Sequence, residues 1–293
     1  MGHHFSHLAS IVLCIISAFC HAEKVTISVE TDVYNIAQQI IADRDILAVK
    51  DFSSPSAQRD VVEFILVQQA LALGGADLNF SFTLGNYDAR NIKLLLDGSL
   101  LINFDSMWLS QVEKYSDDLY ISAPVINKGE YWAGLYTAVD NNKALATKQL
   151  SDLKKLSVIS NNNWYVDWKT LNQISPKVLI HDEEWVSMAK LVSLKWVDVM
   201  LAPFNLKQPF TYQGDDYKIV AIDKVKVALN DSRHFVVSKK HPLGRETFIA
   251  LQKGMEQLRK QGAINKAYRE SGFHNAQVKD WHVINATLIK ADK

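Results

Sequence analysis

The densest group of potential metal ligands in the chain is His181-Asp182-Glu183-Glu184. Adjacent residues at a strand-to-helix junction point in different directions, so the reading that fits better is a helix N-terminus whose acids favour the helix dipole. His234, His241, His274 and His282 have no spacing of the HExxH kind and no sequence partner to complete a ligand set. The chain has no GxSxG elbow, no phosphate-binding P-loop and no GxGxxG turn. No catalytic residue, metal site or cofactor is therefore expected, and an enzyme is the least favoured class. The remaining residues able to do chemistry are aromatic rings and amides near predicted strand ends, which suit binding.

Charge points the same way. The 293 residues carry 32 Lys and Arg against 32 Asp and Glu, and phosphate affinity needs clustered, uncompensated positive charge. Nucleic acid is not an expected partner. With 48% hydrophobic and 22% charged residues the composition is globular.

Met1 to Ala22 contains no Asp, Glu, Lys or Arg, and Leu8 to Phe19 is almost wholly apolar. Such a run is short of the roughly 20 residues a membrane helix needs but suits the core of a signal peptide. Cys20-His21-Ala22 offers a cleavage site, followed at once by the polar pair Glu23-Lys24. Residues 1–22 are read as a cleaved secretory signal, a retained N-terminal anchor being the other reading. Cleavage would remove Cys14 and Cys20, both cysteines of the chain, leaving a mature protein without thiols or disulfides.

The elements that must position any site alternate along the mature chain. Lys24 to Val29 alternates as a strand, and after a loop ending at Ser56 an apolar helix runs from about Ala57 to Leu73, with Ser56 as N-cap and Gly74-Gly75 as stop. Strand Leu78 to Thr83, helix Tyr87 to Asp97 and buried strand Leu100 to Phe104 complete a β-α-β-α-β run. A second run comprises strand Lys155–Ser160, helix Trp164–Gln173, strand Lys177–His181, helix Glu183–Lys195 and strand Val197–Ala202. Short strands alternating with helices imply parallel sheets flanked by helices. Two extended stretches, Tyr131 to Asp140 and Lys218 to Lys239, separate and follow the second run, and two helices, Leu243–Gln261 and about Ala263–Glu270, close the chain. Trp185 and Trp196 are expected in the core; Trp108 and Trp164 fit core or ligand platform equally.

This layout resembles the type II periplasmic solute-binding proteins, in the branch that includes the amino-acid receptors of ABC importers. The most specific pieces are Tyr115-Ser116-Asp117-Asp118-Leu119-Tyr120-Ile121-Ser122-Ala123-Pro124, the segment Leu150 to Ile159, and His234-Phe235-Val236-Val237-Ser238-Lys239-Lys240-His241-Pro242-Leu243. The resemblance implies an α/β, two-lobed periplasmic-binding-protein type II fold, each lobe a central mostly parallel sheet flanked by helices, joined by two hinge strands. Lobe 1 would be residues 23–136 and 234–293, and lobe 2 residues 137–233. It implies a periplasmic, monomeric protein that closes around a small-molecule ligand. Its partner would be an ABC permease; a membrane sensor protein is the alternative partner, and an enzyme on the same fold a second alternative.

Amino-acid receptors of this family hold the substrate carboxylate with an Arg before the hinge and a Gly-Ser/Thr turn in the second lobe, and the ammonium with a late carboxylate. Here Asp105 to Lys114 contains no Arg, the second-lobe turn is Asn161-Asn162-Asn163-Trp164, and the late position falls in Leu201-Ala202-Pro203-Phe204-Asn205. A bidentate Arg clamp has no substitute in Trp or Leu, so a free α-amino acid is not the expected ligand. The resemblance instead places Tyr34, Trp108, Trp132, Trp164 and Phe204 on the lobe rims, with Asn161, Asn162, Asn163 and Asn205. Aromatic faces and amides suit a neutral or cationic ring, a sugar-like compound or a peptide fragment. Glu30 and Asp105, at predicted strand ends, could pair with a cationic ligand or simply be solvated, and the three consecutive Asn could contact ligand or only cap the following helix.

Overall fold

Alternation of apolar residues creates the first strand. In β1 (Glu23–Glu30) Val25, Ile27 and Val29 are buried on one face. The computed structural model describes residues 23–54, 56–85, 88–204 and 208–289; the expected signal segment lies outside them. After β1 come α1 (Thr31–Ile41), α2 (Arg59–Gly74), β2 (Leu78–Gly85) and α3 (Asp88–Asp97). β1 and β2 pair in parallel from Glu23↔Leu78 to Glu30↔Gly85. Helix α1 replaces the first half of the expected loop. It buries Val33, Ala37, Ile40 and Ile41 at helical spacing, but its N-cap Glu30 makes no side-chain cap bond, so the usual start signal is missing. Helix α2 starts at Arg59, with Gln58 rather than Ser56 as N-cap, and ends where Gly75 takes a left-handed φ of 91°.

Leu100 to Phe104 is buried as expected but forms only an isolated bridge, Ile102 to Val237, rather than a strand. The chain then passes through β3 (Met107–Trp108), α4 (Leu109–Val112) and β4 (Leu119–Ile121) into the second lobe.

There β5 (Trp132–Ala138), α5 (Asn142–Leu145), α6 (Leu150–Leu153), β6 (Ser157–Ser160), α7 (Tyr165–Ile174), β7 (Val178–His181), α8 (Trp185–Ser193) and β8 (Val199–Ala202) follow one another, then β9 (Thr211–Gln213), β10 (Lys218–Ala221) and β11 (Val225–Ala228). β6 lies between β7 and β8, parallel to both, and β5 joins β8 antiparallel. Neighbouring residues in these strands enter different cores. Leu135, Val158 and Val199 belong to one apolar cluster, and Tyr136, Ile159 and Met200 to another. A sheet covered on both faces needs such continuous apolar strands.

The chain returns through β12 (Arg233–His234), antiparallel to β3, and β13 (Val236–Ser238), antiparallel to β4. Two adjacent segments therefore link the lobes, tied by Leu229 N–H to Tyr131 O at 2.8 Å and Arg233 N–H to Ile126 O at 2.9 Å. Helices α9 (Gly244–Lys260) and α10 (Ala263–Glu270) pack on the first lobe. α9 meets α2 backbone to backbone: a Cβ on Gly254 would stand 1.7 Å from the carbonyl oxygen of Ala70. Beyond α10 the chain crosses to the second sheet, where β14 (His282–Val283) pairs in parallel with β11 and Lys226 Nζ donates to the carbonyls of Val278 and Lys279 at 2.7 and 2.8 Å.

Trp196, expected in the core, is 74% exposed. Helix α8 ends just before it and Lys195 takes φ +62°, which turns the ring out to solvent.

Candidate functional site

Arg59, the first residue of α2, stands at the mouth of the groove between the lobes. Its Nη1 donates to Glu63 Oε2, one helical turn on, at 2.6 Å and to Asp105 Oδ1 at 2.5 Å. Glu63 is fully buried and accepts three further bonds, from the amide and hydroxyl of Ser106 at 2.9 and 2.8 Å and from the Tyr268 hydroxyl at 2.8 Å. Arg233 enters from the return link: its Nε donates to Ser106 Oγ at 2.9 Å, its Nη2 reaches the Ser106 carbonyl and, at 3.5 Å, Asp105 Oδ2. Two guanidiniums and two carboxylates thus form one network joining α2, β3 and the hinge.

The electrostatics follow from burial set against pairing. Burial pushes the Asp105 carboxyl up, but Arg59 and Arg233 outweigh it and hold the group below its usual range. In Glu63 burial wins, despite Arg59, and the carboxyl is raised. Arg59 is held above its usual value because Asp105 and Glu63 outweigh its own burial.

The opposite wall comes from the carboxyl ends of β6 and β8, where an open α/β sheet presents loops and helix starts. Asn163, Trp164 and Asp167 around the start of α7, Trp185 at the start of α8, Pro203 after β8 and Tyr212 in β9 face Arg59, Asp105, Trp108, Tyr131 and Arg233 across about 1870 Å³ of space. Asp167 is half-buried, forms no ion pair among the described residues, and burial pushes its carboxyl up to about 6. A smaller chamber of about 490 Å³, lined by Glu30, Asp60 and Asn91 among others, adjoins this cleft and shares Arg59, Asn103 and Asp105 with it.

No family model matches the sequence, and neither does any curated protein. Solved structures do match. A probable amino-acid ABC transporter extracellular-binding protein, ytmK of Bacillus subtilis, superposes with a TM-score of 0.55 at 12% identity, covering 85% of this chain and 97% of its own. The chain has the type II solute-binding fold. The GluR0 ligand-binding core in complex with L-glutamate gives a TM-score of 0.51 at 14% identity (85% and 97% covered). Substrate-binding domain 2 of Lactococcus lactis GlnP, in an open conformation, gives 0.50 at 14% identity (84% and 95% covered).

Within the type II solute-binding fold the expected site residues separate. Asp105, Trp108, Asn163 and Trp164 line the cleft, and Glu30 lines the adjoining chamber. Asn161 and Asn162 brace the turn instead: Asn161 Nδ2 donates to the Glu183 carbonyl at 3.1 Å, its Oδ1 accepts from the Asn163 amide at 2.8 Å, and the Asn162 amide donates to His181 Nδ1 at 3.2 Å. The N-cap of α7 is Trp164, without a side-chain cap bond. Tyr34 packs against Phe64 and Phe82, Trp132 lies under Lys226 and beside His274, and Phe204 packs on Phe210 and Trp281. These three rings are partly buried and pack against the core clusters rather than lining the cleft. Asn205 lies outside the described residues.

His181-Asp182-Glu183-Glu184 ends β7 and leads into α8, with Asp182 accepting from the Glu184 amide at 2.9 Å and the Ser187 hydroxyl at 2.6 Å. Among the described residues no group of three or more His, Cys, Asp or Glu is arranged to hold a metal ion. Trp185, expected in the core, is partly buried against a core cluster and also lines the cleft, and Arg59, Arg233, Tyr131, Asp167 and Tyr212 carry no sequence motif of a site. The available signal was charge in apolar surroundings: Arg59 opens a strongly apolar helix, and Arg233 interrupts a buried hinge strand.

Proposed function

We propose that this chain is an exported solute-binding protein that closes its two lobes around a small molecule and presents it to a membrane ABC transporter. The single observation that carries the proposal is the cleft itself, walled by charged and aromatic side chains from both lobes where the two hinge segments meet. Rigid-body closure about such hinges buries a ligand between two rims. The fold shared with ytmK and with the GlnP domain supports the transport reading. Export follows from the signal-like character of residues 1–22.

The cleft has two arginines, yet each is committed to Asp105, Glu63 or Ser106. A free α-amino acid is therefore still not the proposed ligand. A ligand that selects the folded, closed state raises the melting temperature. A thermal-shift screen of amino acids, amines, sugars and short peptides tests the proposal, and closure is checked by a smaller radius of gyration in solution scattering. Trp164, 36% exposed on the cleft wall, supplies the control: Trp164→Ala weakens binding of any hit and leaves the unliganded melting temperature within about 2 °C, as expected of a surface substitution. A stable protein that no compound class shifts or closes would overturn the proposal.

A further inference from the structure

The charge on the cleft walls specifies a ligand class, given the solute-binding reading above. Arg59 and Arg233 are balanced by Glu63 and Asp105, so the network they form is neutral as a unit. Among the described residues two more carboxylates lie in these cavities without an ion pair: Asp60 in the side chamber, whose Oδ1 accepts from the adjacent Val61 amide, and Asp167 across the cleft. Burial raises the carboxyl pKa of both and outweighs the nearest positive charges, Arg59 for Asp60 and Arg233 for Asp167.

A second, independent observation concerns hydrogen bonding. Asn91 lines the side chamber and is only 6% exposed. Its Nδ2 donates to Asn103 Oδ1 at 2.8 Å, while its own Oδ1 is buried and accepts no hydrogen bond. A buried acceptor of this kind needs a donor. In a chamber that Asp60 also lines, a partner that is both donor-rich and positive answers both groups. Trp164, 36% exposed on the cleft wall opposite Trp108, offers a ring face that attracts cations and covers a hydrocarbon chain, while the Trp108 ring already lies against Arg233.

We infer that the cleft binds an organic amine that lacks a carboxylate, its ammonium set against Asp60 and Asn91 in the side chamber and its chain directed past Trp108 towards Asp167. A carboxylate on the same ligand meets like charge. Asp167 already occupies the first turn of α7, where a ligand carboxylate would otherwise find the positive end of the helix, and juxtaposed like charges disfavour the wrong partner.

The test is a calorimetric titration of the purified protein with matched pairs that differ only in the carboxylate: putrescine and ornithine, cadaverine and lysine, agmatine and arginine. A neutral sugar and a neutral tripeptide complete the set. At least one amine is expected to bind about tenfold or more tightly than its amino acid. Asp60→Asn and, separately, Asp167→Asn should each weaken that amine about tenfold or more while the unliganded protein stays folded. Tighter or equal binding of the amino acids, or binding of the neutral solutes alone, overturns the amine assignment and leaves the solute-binding proposal standing. No binding by any member overturns the amine assignment; if the broader screen is silent as well, the proposed function falls with it.

Discussion

The Arg233 guanidinium lies 4.7 Å from the centre of the Trp108 ring, and the two residues face each other in the β12–β3 pair. One contact thus ties the return link to the outgoing one beside the cleft. Replacing Arg233 by Met leaves Asp105 with Arg59 alone and strips a donor from Ser106. Asp105 keeps Arg59 and is 34% exposed, so the cost is that of the lost charged hydrogen bonds, about 1.5–3 kcal/mol, and Arg233→Met should lower the urea midpoint. Lys keeps the charge but not the planar fork, and Arg233→Lys should fall between the two. Equal midpoints for all three proteins would show that the network contributes nothing to stability.

Asp167 sets a pH dependence. Its carboxyl titrates at about 6 in the folded protein against 3.8 ordinarily, so between those values the folded state holds a proton that the unfolded chain has released. Stability from this group is full below about pH 4 and is lost as pH rises through 6. Asp167→Asn should flatten that part of the profile and raise the melting temperature at pH 7 by about 2–4 °C, the response of a chain this size to roughly 1 kcal/mol. An unchanged slope between pH 4 and 6 would show that another group is responsible.

Gly254 makes the opposite prediction from helix propensity. In the middle of a helix Ala is preferred to Gly by about 1 kcal/mol, but here the added Cβ would stand 1.7 Å from the Ala70 carbonyl oxygen, and backbone cannot swing aside. Gly254→Ala should therefore force α9 off α2 and destabilise by about 1–3 kcal/mol or more. A stabilised variant in chemical denaturation would mean that the two helices are not in backbone contact.

Lys226 secures the C-terminal segment. Burial pulls its amine down to about 8 from 10.5, so the unfolded chain holds the proton over a range where the folded state has given it up, and stability from this group rises with pH between 8 and 10.5. Lys226→Met should abolish that rise and release the carbonyls of Val278 and Lys279, making the segment beyond α10 more sensitive to limited proteolysis. Unaltered cleavage would indicate that the β11–β14 pairing holds it alone.

Much of the architecture is legible in the chain because its signals are local. Period-two alternation in β1, continuous apolar runs in β6 and β8, and the Gly74-Gly75 stop mark elements whose positions the structure repeats within a few residues. Helix α1 has no capping side chain at its start to mark it, and Leu100–Phe104 is apolar without being a strand because an apolar run signals burial, not pairing. In the cleft, Asp105 is legible as a strand-end residue, and Trp108, Asn163 and Trp164 as rim residues through the family resemblance. The sequence alone determined that this is a two-run α/β chain with carboxylates and aromatic rings near its strand ends. Only the tertiary structure decided which of them share a space. It brought Arg59 to Asp105, 46 residues away, and Arg233 to Trp108 across the hinge, and it packed Tyr34, Trp132 and Phe204 against the cores. Long-range pairing of charges depends on where two lobes meet, and neither spacing nor periodicity along a chain encodes that meeting.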